Sequence, residues 1–220
     1  MLPFDDAVRA RRSIRAFLPE PLPDREMREM FELAGRAPSN CNTQPWRADV
    51  VSGERLREVK TKMTELFSTG TVTADYPYSG QYDGVWKERQ YAAARALYNA
   101  VGIEREDRLG RHAQFMRNFL CFDAPHVAFV FLPGEFGIRE AADLGMFAQT
   151  FMLALAARGY GSCPQTALSF EAEYVREALS VGDEWKLMFG ISFGRPDPAG
   201  DANRCVTDRA KLSDYVEFHD

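Results

Sequence analysis

The chain has 220 residues, of which 45% are hydrophobic and 27% charged, and its formal net charge is -5 at pH 7. This length and composition suffice for one hydrophobic core and exclude a disordered or fibrous protein. The acidic balance argues against nucleic acid as the main partner, since binding to phosphates needs a basic surface.

The sequence lacks the signatures of membrane, secreted and metal-binding proteins. No apolar run reaches the roughly 18 residues that span a bilayer, so no membrane partner is expected. The N-terminal residues include Asp5 and Asp6 where a secretory signal would be basic, and we therefore expect a cytoplasmic protein. The four cysteines and three histidines are too scattered for a zinc site, so no metal centre is predicted.

Hydrophobic periodicity predicts three helices and one strand in the first third of the chain. The second helix carries an apolar stripe in which Met27, Met30 and Phe31 recur at helical spacing. It must end before Pro38, because the residue that precedes a proline disfavours the helical region. The predicted elements are a helix over 5–11 capped by Asp5 or Asp6, a helix from 24, a polar loop over 38–45, a strand over 46–51 and a helix over 54–67.

The region 68–118 is predicted to be an excursion from a single domain that spans 1–220. Residues 68–84 are rich in glycine, serine, threonine, tyrosine and proline, which is typical of an irregular segment. Residues 85–103 have helical periodicity but are polar for a core helix. We therefore expect this region to form a lid or a helical segment on the substrate side.

The most apolar elements lie in the second half of the chain. The run 126–132 is short, rich in β-branched and aromatic residues and bounded by prolines, which predicts a strand buried on both faces. The helix 139–158 is apolar on nearly every side, which predicts a buried position or a subunit contact. A helix over 171–179 and a strand over 186–193 follow. This alternation indicates an α/β or α+β domain with a small sheet.

A basic cluster near the N-terminus is the first candidate for a binding site. It consists of Ser13 and the guanidinium groups of Arg9, Arg11, Arg12 and Arg15. Guanidinium groups match phosphate oxygens two at a time, and a serine hydroxyl adds a donor. A solvated basic end of a helix would have the same composition, so spacing alone does not decide between the two interpretations.

Two further polar segments are candidates. The loop 38–45 could hydrogen-bond to the edge of a heteroaromatic ring, although an ordinary turn uses the same residue types. The glycines of 159–167 permit close approach of the backbone to a ligand. This segment is not a dinucleotide fingerprint, because Pro164 stands where a glycine is needed. Cys163 is conceivable as a nucleophile, but no histidine base lies nearby in the sequence.

Four segments together resemble the FMN-dependent nitroreductase family in order and in spacing. They are 11–17 (RRSIRAF), 37–46 (APSNCNTQPW), 159–163 (GYGSC) and 191–196 (ISFGRP). The rest of the chain resembles a branch that acts on nitrobenzoate-like compounds. The resemblance implies an α+β fold, a three-layer α-β-α sandwich with a small, mostly antiparallel sheet around a central apolar helix. It also implies an intertwined homodimer.

The resemblance further implies an FMN site that two chains share. The residues that contact the phosphate, the ribityl chain and the pyrimidine edge are Arg11, Arg12, Ser13, Arg15 and Arg209. The residues that reach the flavin from the partner chain are Pro38, Ser39, Asn40 and Asn42. The residues that present backbone amides to the ring are Gln165, Thr166 and Ala167. A frequent asparagine contact of the family falls near Arg117 or Asn118.

The activity that the resemblance implies is reduction of small nitroaromatic compounds by NAD(P)H, by a ping-pong mechanism, to hydroxylamines or amines. The flavin carries the chemistry, so no catalytic side chain is predicted. Reduction places negative charge on the pyrimidine side of the ring, where Arg15 would stabilise it. Reductive dehalogenation, enone or quinone reduction on the same fold, and a non-catalytic flavin-binding module, stay open as alternatives.

Overall fold

The computed structural model describes residues 1–70 and 72–219, so position 71 of the predicted excursion lies outside the described residues. The strands are β1 (Arg47–Ser52), β2 (His126–Pro133), β3 (Gly161–Gln165) and β4 (Trp185–Gly194). The helices are α1 (Phe4–Ala10), α2 (Asp24–Ala34), α3 (Gly53–Ser68), α4 (Gly84–Ala100), α5 (Arg108–Met116), α6 (Ile138–Ala157) and α7 (Ala172–Leu179). None of these helices is both long enough and apolar enough to cross a membrane.

The four strands form one antiparallel sheet in the order β1-β2-β4-β3. β2 lies inside the sheet, and its residues from His126 to Leu132 are buried, as the continuous apolar run predicts. Its side chains alternate between two cores: Val130 and Leu132 face one, and Phe129 and Phe131 face the other. The sheet therefore separates two hydrophobic layers.

Helices cover both faces of the sheet. On one face α2 packs against α6, whose buried side chains include Leu144, Phe147 and Phe151. On the other face α3 and α7 contribute Leu56, Val59 and Val175 to the second core. This arrangement confirms the α+β sandwich with a central apolar helix. The intertwined homodimer stays a prediction at this point.

Local signals predicted most elements but failed at three places. Asp5 and Asp6 do not cap α1, because the helix is preceded by Pro3 and both acids lie in its first turn. The sequence did not predict α5. It also did not predict β3, whose Gly-Ser-Cys-Pro-Gln sequence has weak strand propensity. Pairing with β4 makes this segment a strand, which is a tertiary effect.

The excursion is fastened to the body at Asp75. This carboxylate forms an ion pair with the buried Arg176 of α7 and accepts a hydrogen bond from the backbone N–H of Leu187 at 2.8 Å. Further along the excursion, α4 has no buried residue and packs against the 3₁₀ turn Asp201–Arg204. A 17-residue helix without a buried side chain suits the predicted lid better than a core element.

Candidate functional site

The N-terminal basic segment lies along the edge of the sheet. Ser13 forms a parallel bridge with Ser162 of β3, and the N–H of Ile14 donates to the Ser162 carbonyl oxygen at 2.9 Å. A Cβ atom on Gly161 would lie 2.7 Å from the Ile14 side chain, so only glycine fits there. The close approach that Gly161 permits therefore serves Ile14.

Asn203 fixes the backbone of this segment. Its side-chain oxygen accepts from the N–H of Arg15 at 2.8 Å, and its side-chain nitrogen donates to the carbonyl oxygen of Ala16 at 2.8 Å. The Asn203 residue is 8% exposed, which strengthens both bonds by excluding water. Sequence analysis missed this residue, because nothing near position 203 indicates a contact with position 15.

The charges of Arg11 and Arg209 interact although the two residues come from opposite ends of the chain. Burial lowers the pKa of the Arg11 guanidinium group, and the positive charge of Arg209 lowers it further. Arg209 itself is exposed and donates to the side chain and carbonyl oxygen of Thr207. Within residues 1–70 and 72–219, neither of these arginines forms an ion pair, nor do Arg12 and Arg15. Their charges are thus available to an anion.

Gln165 is the last residue of β3, and its side chain forms hydrogen bonds within the protein. The Gln165 Nε2 group donates to the carbonyl oxygen of Asn118 at 2.9 Å and to its Oδ1 atom at 3.2 Å. The Gln165 Oε1 atom accepts from the hydroxyl of Ser192. In the turn that follows, Thr166 is exposed and Ala167 is buried. Asn118, and not Arg117, is the residue that contacts this segment.

The buried thiols beside this region are protonated at neutral pH. Burial raises the pKa of Cys163 to about 11, against opposing effects of the Arg15 charge and a hydrogen bond with Ser13. Burial also raises the pKa of Cys121 to about 12. Because the thiolate is the nucleophile, Cys163 is unsuited to that role.

The loop 38–45 is a fixed and largely exposed structure. Cys41, Asn42 and Gln44 have φ angles of 49°, 57° and 48°, which is uncommon for residues other than glycine. The N–H of Asn40 donates to the Oδ2 atom of the buried Asp143 of α6 at 2.9 Å. Non-glycine residues held in this region cost energy and concentrate at functional sites. Sequence analysis missed Asp143 as the anchor of the loop.

The structure assembles the predicted site residues into two groups. One group combines the N-terminal segment, the end of β3 and a residue near the C-terminus. Its members are Arg11, Arg12, Ser13 and Arg15, then Gln165, Thr166 and Ala167, and finally Arg209. The other is the loop with Pro38, Ser39, Asn40 and Asn42, held near the N-terminal end of α6. No hydrogen bond or ion pair among the described residues joins the two groups.

The chemistry of the first group suits a phosphorylated ligand. Arginine side chains without acidic partners, a serine hydroxyl and the backbone at the end of an edge strand are donors to phosphate and to carbonyl oxygens. The described residues contain no cluster of three or more histidine, cysteine or acidic side chains that could hold a metal ion. The arrangement therefore offers fixed positive charge and donors, without a side-chain nucleophile.

Comparisons with known proteins agree with this geometry. The chain is 42% identical to the nitroreductase NfnB of Mycolicibacterium smegmatis, over 96% of this chain and 90% of that protein. It is 31% identical to a 4-nitrobenzoate reductase of Nocardioides sp., over 98% of this chain and 89% of that protein.

Solved structures show the same relationship. The crystal structure of the FMN-dependent nitroreductase NfnB from Mycobacterium smegmatis in complex with NADPH superposes with a TM-score of 0.94 at 40% identity, and the match covers 98% of this chain and 97% of that one. The model of the nitroreductase family matches residues 8–195. The chain therefore belongs to the nitroreductase family.

Proposed function

We propose that this protein is an FMN-dependent oxidoreductase that uses NAD(P)H to reduce nitroaromatic compounds, with nitrobenzoate-like molecules as the substrate class. The observation that carries the proposal is the position of Ser13 against β3 and of the Arg15 backbone against Asn203, in a segment whose arginines, like Arg209, form no ion pair among the described residues. The relatives support the reaction, since one is named for reduction of 4-nitrobenzoate and another is an FMN-dependent nitroreductase with NADPH.

The donor set fits FMN in charge and in order. Arg11 and Arg209 supply positive charge for the phosphate, and their mutual repulsion would be relieved by an anion between them. Arg15 comes next along the same segment, and Arg12 adds a cation there. At the end of β3, the backbone amides of Gln165, Thr166 and Ala167 are the proposed donors to the ring edge, and the Gln165 side chain is held by Asn118 and Ser192.

When bound, FMN would supply hydride transfer between nicotinamide and the nitro compound. The protein would position the flavin and the substrates and shield them from water. Asn203 holds the Arg15 backbone, so the Arg15 charge is oriented before the ligand arrives. The Cys163 thiol stays protonated and adds no competing nucleophile. The excursion over 68–118, with exposed tyrosines at positions 76, 78, 82 and 91, provides aromatic surface for the substrate side of a single domain.

The active form in this proposal is a homodimer in which each site uses residues of both chains. The loop with Pro38, Ser39, Asn40 and Asn42 is exposed and is anchored to α6, apart from the N-terminal group of the same chain. A rigid, exposed and strained polar loop is suited to contact a second copy of the chain. A cytoplasmic location stays a prediction from the sequence.

The visible spectrum of the purified protein tests the proposal. We expect a yellow protein whose flavin absorbance bleaches on anaerobic addition of NADH or NADPH and returns on addition of 4-nitrobenzoate. A preparation that stays colourless with excess FMN would contradict the cofactor. A yellow protein that does not bleach would be a flavin-binding module without turnover, and recovery with halophenols alone would indicate dehalogenation. Sedimentation of a flavin-loaded monomer would refute the shared site.

A further inference from the structure

Two side chains of α6 hold the loop 38–45 from the same face of the helix. The Oδ2 atom of Asp143 accepts from the N–H of Asn40 at 2.9 Å. One turn further along, the Phe147 ring stacks on that of Trp46, with 5.1 Å between the ring centroids and 17° between their planes. Residues four apart lie on one face of a helix. Asp143 and Phe147, which we call the α6 clamp, therefore fix the loop near its beginning and just after its end.

The carboxylate of this clamp is buried and needs a hydrogen-bond donor. Asp143 is 5% exposed and, in the part of the chain that the structure describes, forms no ion pair. An ionised carboxylate can only accept hydrogen bonds, and its burial without donors is strongly destabilising. A hydrogen bond from a backbone N–H to a charged acceptor is stronger than one between neutral groups. The bond that offsets the burial of Asp143 is thus the bond that determines where Asn40 lies.

Hydrogen bonds within the loop leave the side chain of Asn42 free. The N–H of Gln44 donates to the Oγ atom of Ser39 at 2.9 Å, and the Gln44 Nε2 atom donates to the Asn42 carbonyl oxygen at 3.1 Å. These bonds close the loop on itself. The exposed side-chain amide of Asn42 has no hydrogen-bond partner within residues 1–70 and 72–219. The loop therefore presents this amide to its surroundings from a fixed backbone.

We propose that Asp143 is a positioning residue for FMN, which acts by fixing the loop that reaches the flavin of the partner chain. The inference rests on the proposed function, in which the loop 38–45 contributes to the site of the second copy. A loop without the α6 clamp would have to be ordered when the flavin binds, and the loss of conformational entropy would weaken binding. A loop that is held beforehand presents the Asn42 amide without this loss.

Two substitutions of Asp143 separate loss of the acceptor from loss of the charge. Asp143→Ala removes the acceptor, so the Kd for FMN should rise about tenfold and the visible circular dichroism of the bound flavin should change. Asp143→Asn removes the charge but keeps an oxygen for the Asn40 N–H, and it should restore both properties. Equal affinity of Asp143→Ala and the unaltered protein, measured below the melting temperature of both, overturns the proposal. An equal loss in Asp143→Asn also overturns it.

Two further variants control for effects on the stability of α6. Glu140→Ala removes another carboxylate of this helix that accepts from a backbone N–H, that of Gly137. It should lower the melting temperature and leave the Kd for FMN unchanged. Phe147→Leu removes the stack on Trp46 but keeps an apolar side chain, and it should also weaken FMN binding. If Asp143→Ala does not fold, unchanged binding in Phe147→Leu contradicts the role of the clamp.

A mixed dimer tests whether the clamp acts on the partner's site. One chain carries Asp143→Ala and the other carries Arg11→Ala, and co-expression with two different affinity tags isolates the heterodimer. If each site combines the basic segment of one chain with the loop of the other, one site of this dimer contains neither substitution. Half of the FMN sites should then keep the unaltered Kd. If the loop acts within its own chain, both sites are impaired, and the absence of a tight site overturns the proposal.

The unaltered protein separates failure of this inference from failure of the proposed function. If it binds no FMN, the proposed function fails and the inference fails with it. If it binds FMN and the flavin is reduced by NADPH, while Asp143→Ala binds FMN equally tightly, only the inference fails.

Discussion

The guanidinium group of Arg209 lies close enough to that of Arg11 for its charge to add to the effect of burial in lowering the pKa of Arg11. Two cations held together without an acidic partner repel each other, and this repulsion reduces the stability of the ligand-free protein. An anion bound between the two guanidinium groups would attract both of them. The pair is therefore expected to stabilise the protein with bound anion relative to the ligand-free protein.

Arg209→Ala should lower FMN affinity without lowering the stability of the ligand-free protein. Loss of a cation from the phosphate site should raise the Kd for FMN about tenfold or more, which corresponds to about 1.4 kcal/mol or more. The melting temperature of the FMN-free protein should stay the same or rise, because the repulsion with Arg11 is removed. Fluorescence titration with FMN and calorimetry of the apoprotein measure the two effects. Arg204→Ala is the control, since Arg204 is exposed and paired with Asp201.

Arg15→Leu should make the bound flavin harder to reduce. A fixed positive charge near the pyrimidine edge favours the reduced form, so its removal should lower the two-electron midpoint potential. A loss of about 1.4 kcal/mol corresponds to about 30 mV. Redox titration against a dye of known potential measures the shift. Arg9→Leu should leave the potential unchanged, because Arg9 is exposed and pairs with Asp5 and Asp6. An identical potential in Arg15→Leu would show that the cation lies elsewhere.

Asp75→Ala should destabilise the protein strongly. The substitution leaves the Arg176 guanidinium group buried without its main partner and removes the acceptor for the Leu187 N–H. Loss of one member of a buried pair costs about 3–5 kcal/mol. Urea unfolding gives the difference in free energy of unfolding.

The second carboxylate on the same arginine is a matched control for this prediction. Asp183 lies 3.6 Å from the Arg176 Nε atom, and its side chain is 99% exposed. Asp183→Ala should therefore cost less than about 1 kcal/mol, as exposed ion pairs do. Similar losses for Asp75→Ala and Asp183→Ala would mean that burial of the Asp75 pair is energetically unimportant.

The neutral form of His126 should make stability depend on pH. The His126 Nε2 atom accepts from the backbone N–H of Leu22 at 2.8 Å, so it carries no proton, and the Nδ1 atom contacts the hydroxyl of Ser52. Burial lowers the pKa of His126 from its ordinary value of 6.5 in spite of an opposing effect of Asp24. The stabilisation is complete above pH 6.5 and is lost as the pH falls toward the lowered pKa of the folded state.

Urea unfolding of the unaltered protein and of His126→Gln between pH 5 and pH 8 measures this contribution. We expect the free energy of unfolding of the unaltered protein to fall more steeply below pH 6.5 than that of His126→Gln. His112→Gln serves as the control, because His112 is exposed. The free energy of unfolding of this variant should keep the steep dependence on pH. Parallel pH curves for the unaltered protein and His126→Gln would show that His126 does not titrate differently in the folded state.

Local patterns were sufficient for most of the fold. The continuous apolar run of β2 and the all-round apolar composition of α6 are properties of single segments, and both segments form the elements they predict. The basic residues of 11–15 and the polar loop 38–45 were also visible, because charge and turn composition are local. The predicted cap on α1 was wrong, since Pro3 precedes the helix and the nearby acids only line its first turn.

The sequence by itself determined most of the helical segments, with α5 as an exception, and also which segments are apolar and where the cations lie along the chain. Only the tertiary structure decided that the charge of Arg209 acts on Arg11, that Asn203 holds the backbone of Arg15 and that β3 becomes a strand on the edge of the sheet. The physical reason is that each of these features depends on two segments far apart in the chain. Their energy comes from hydrogen bonds, charges and packing that exist only after the chain has folded.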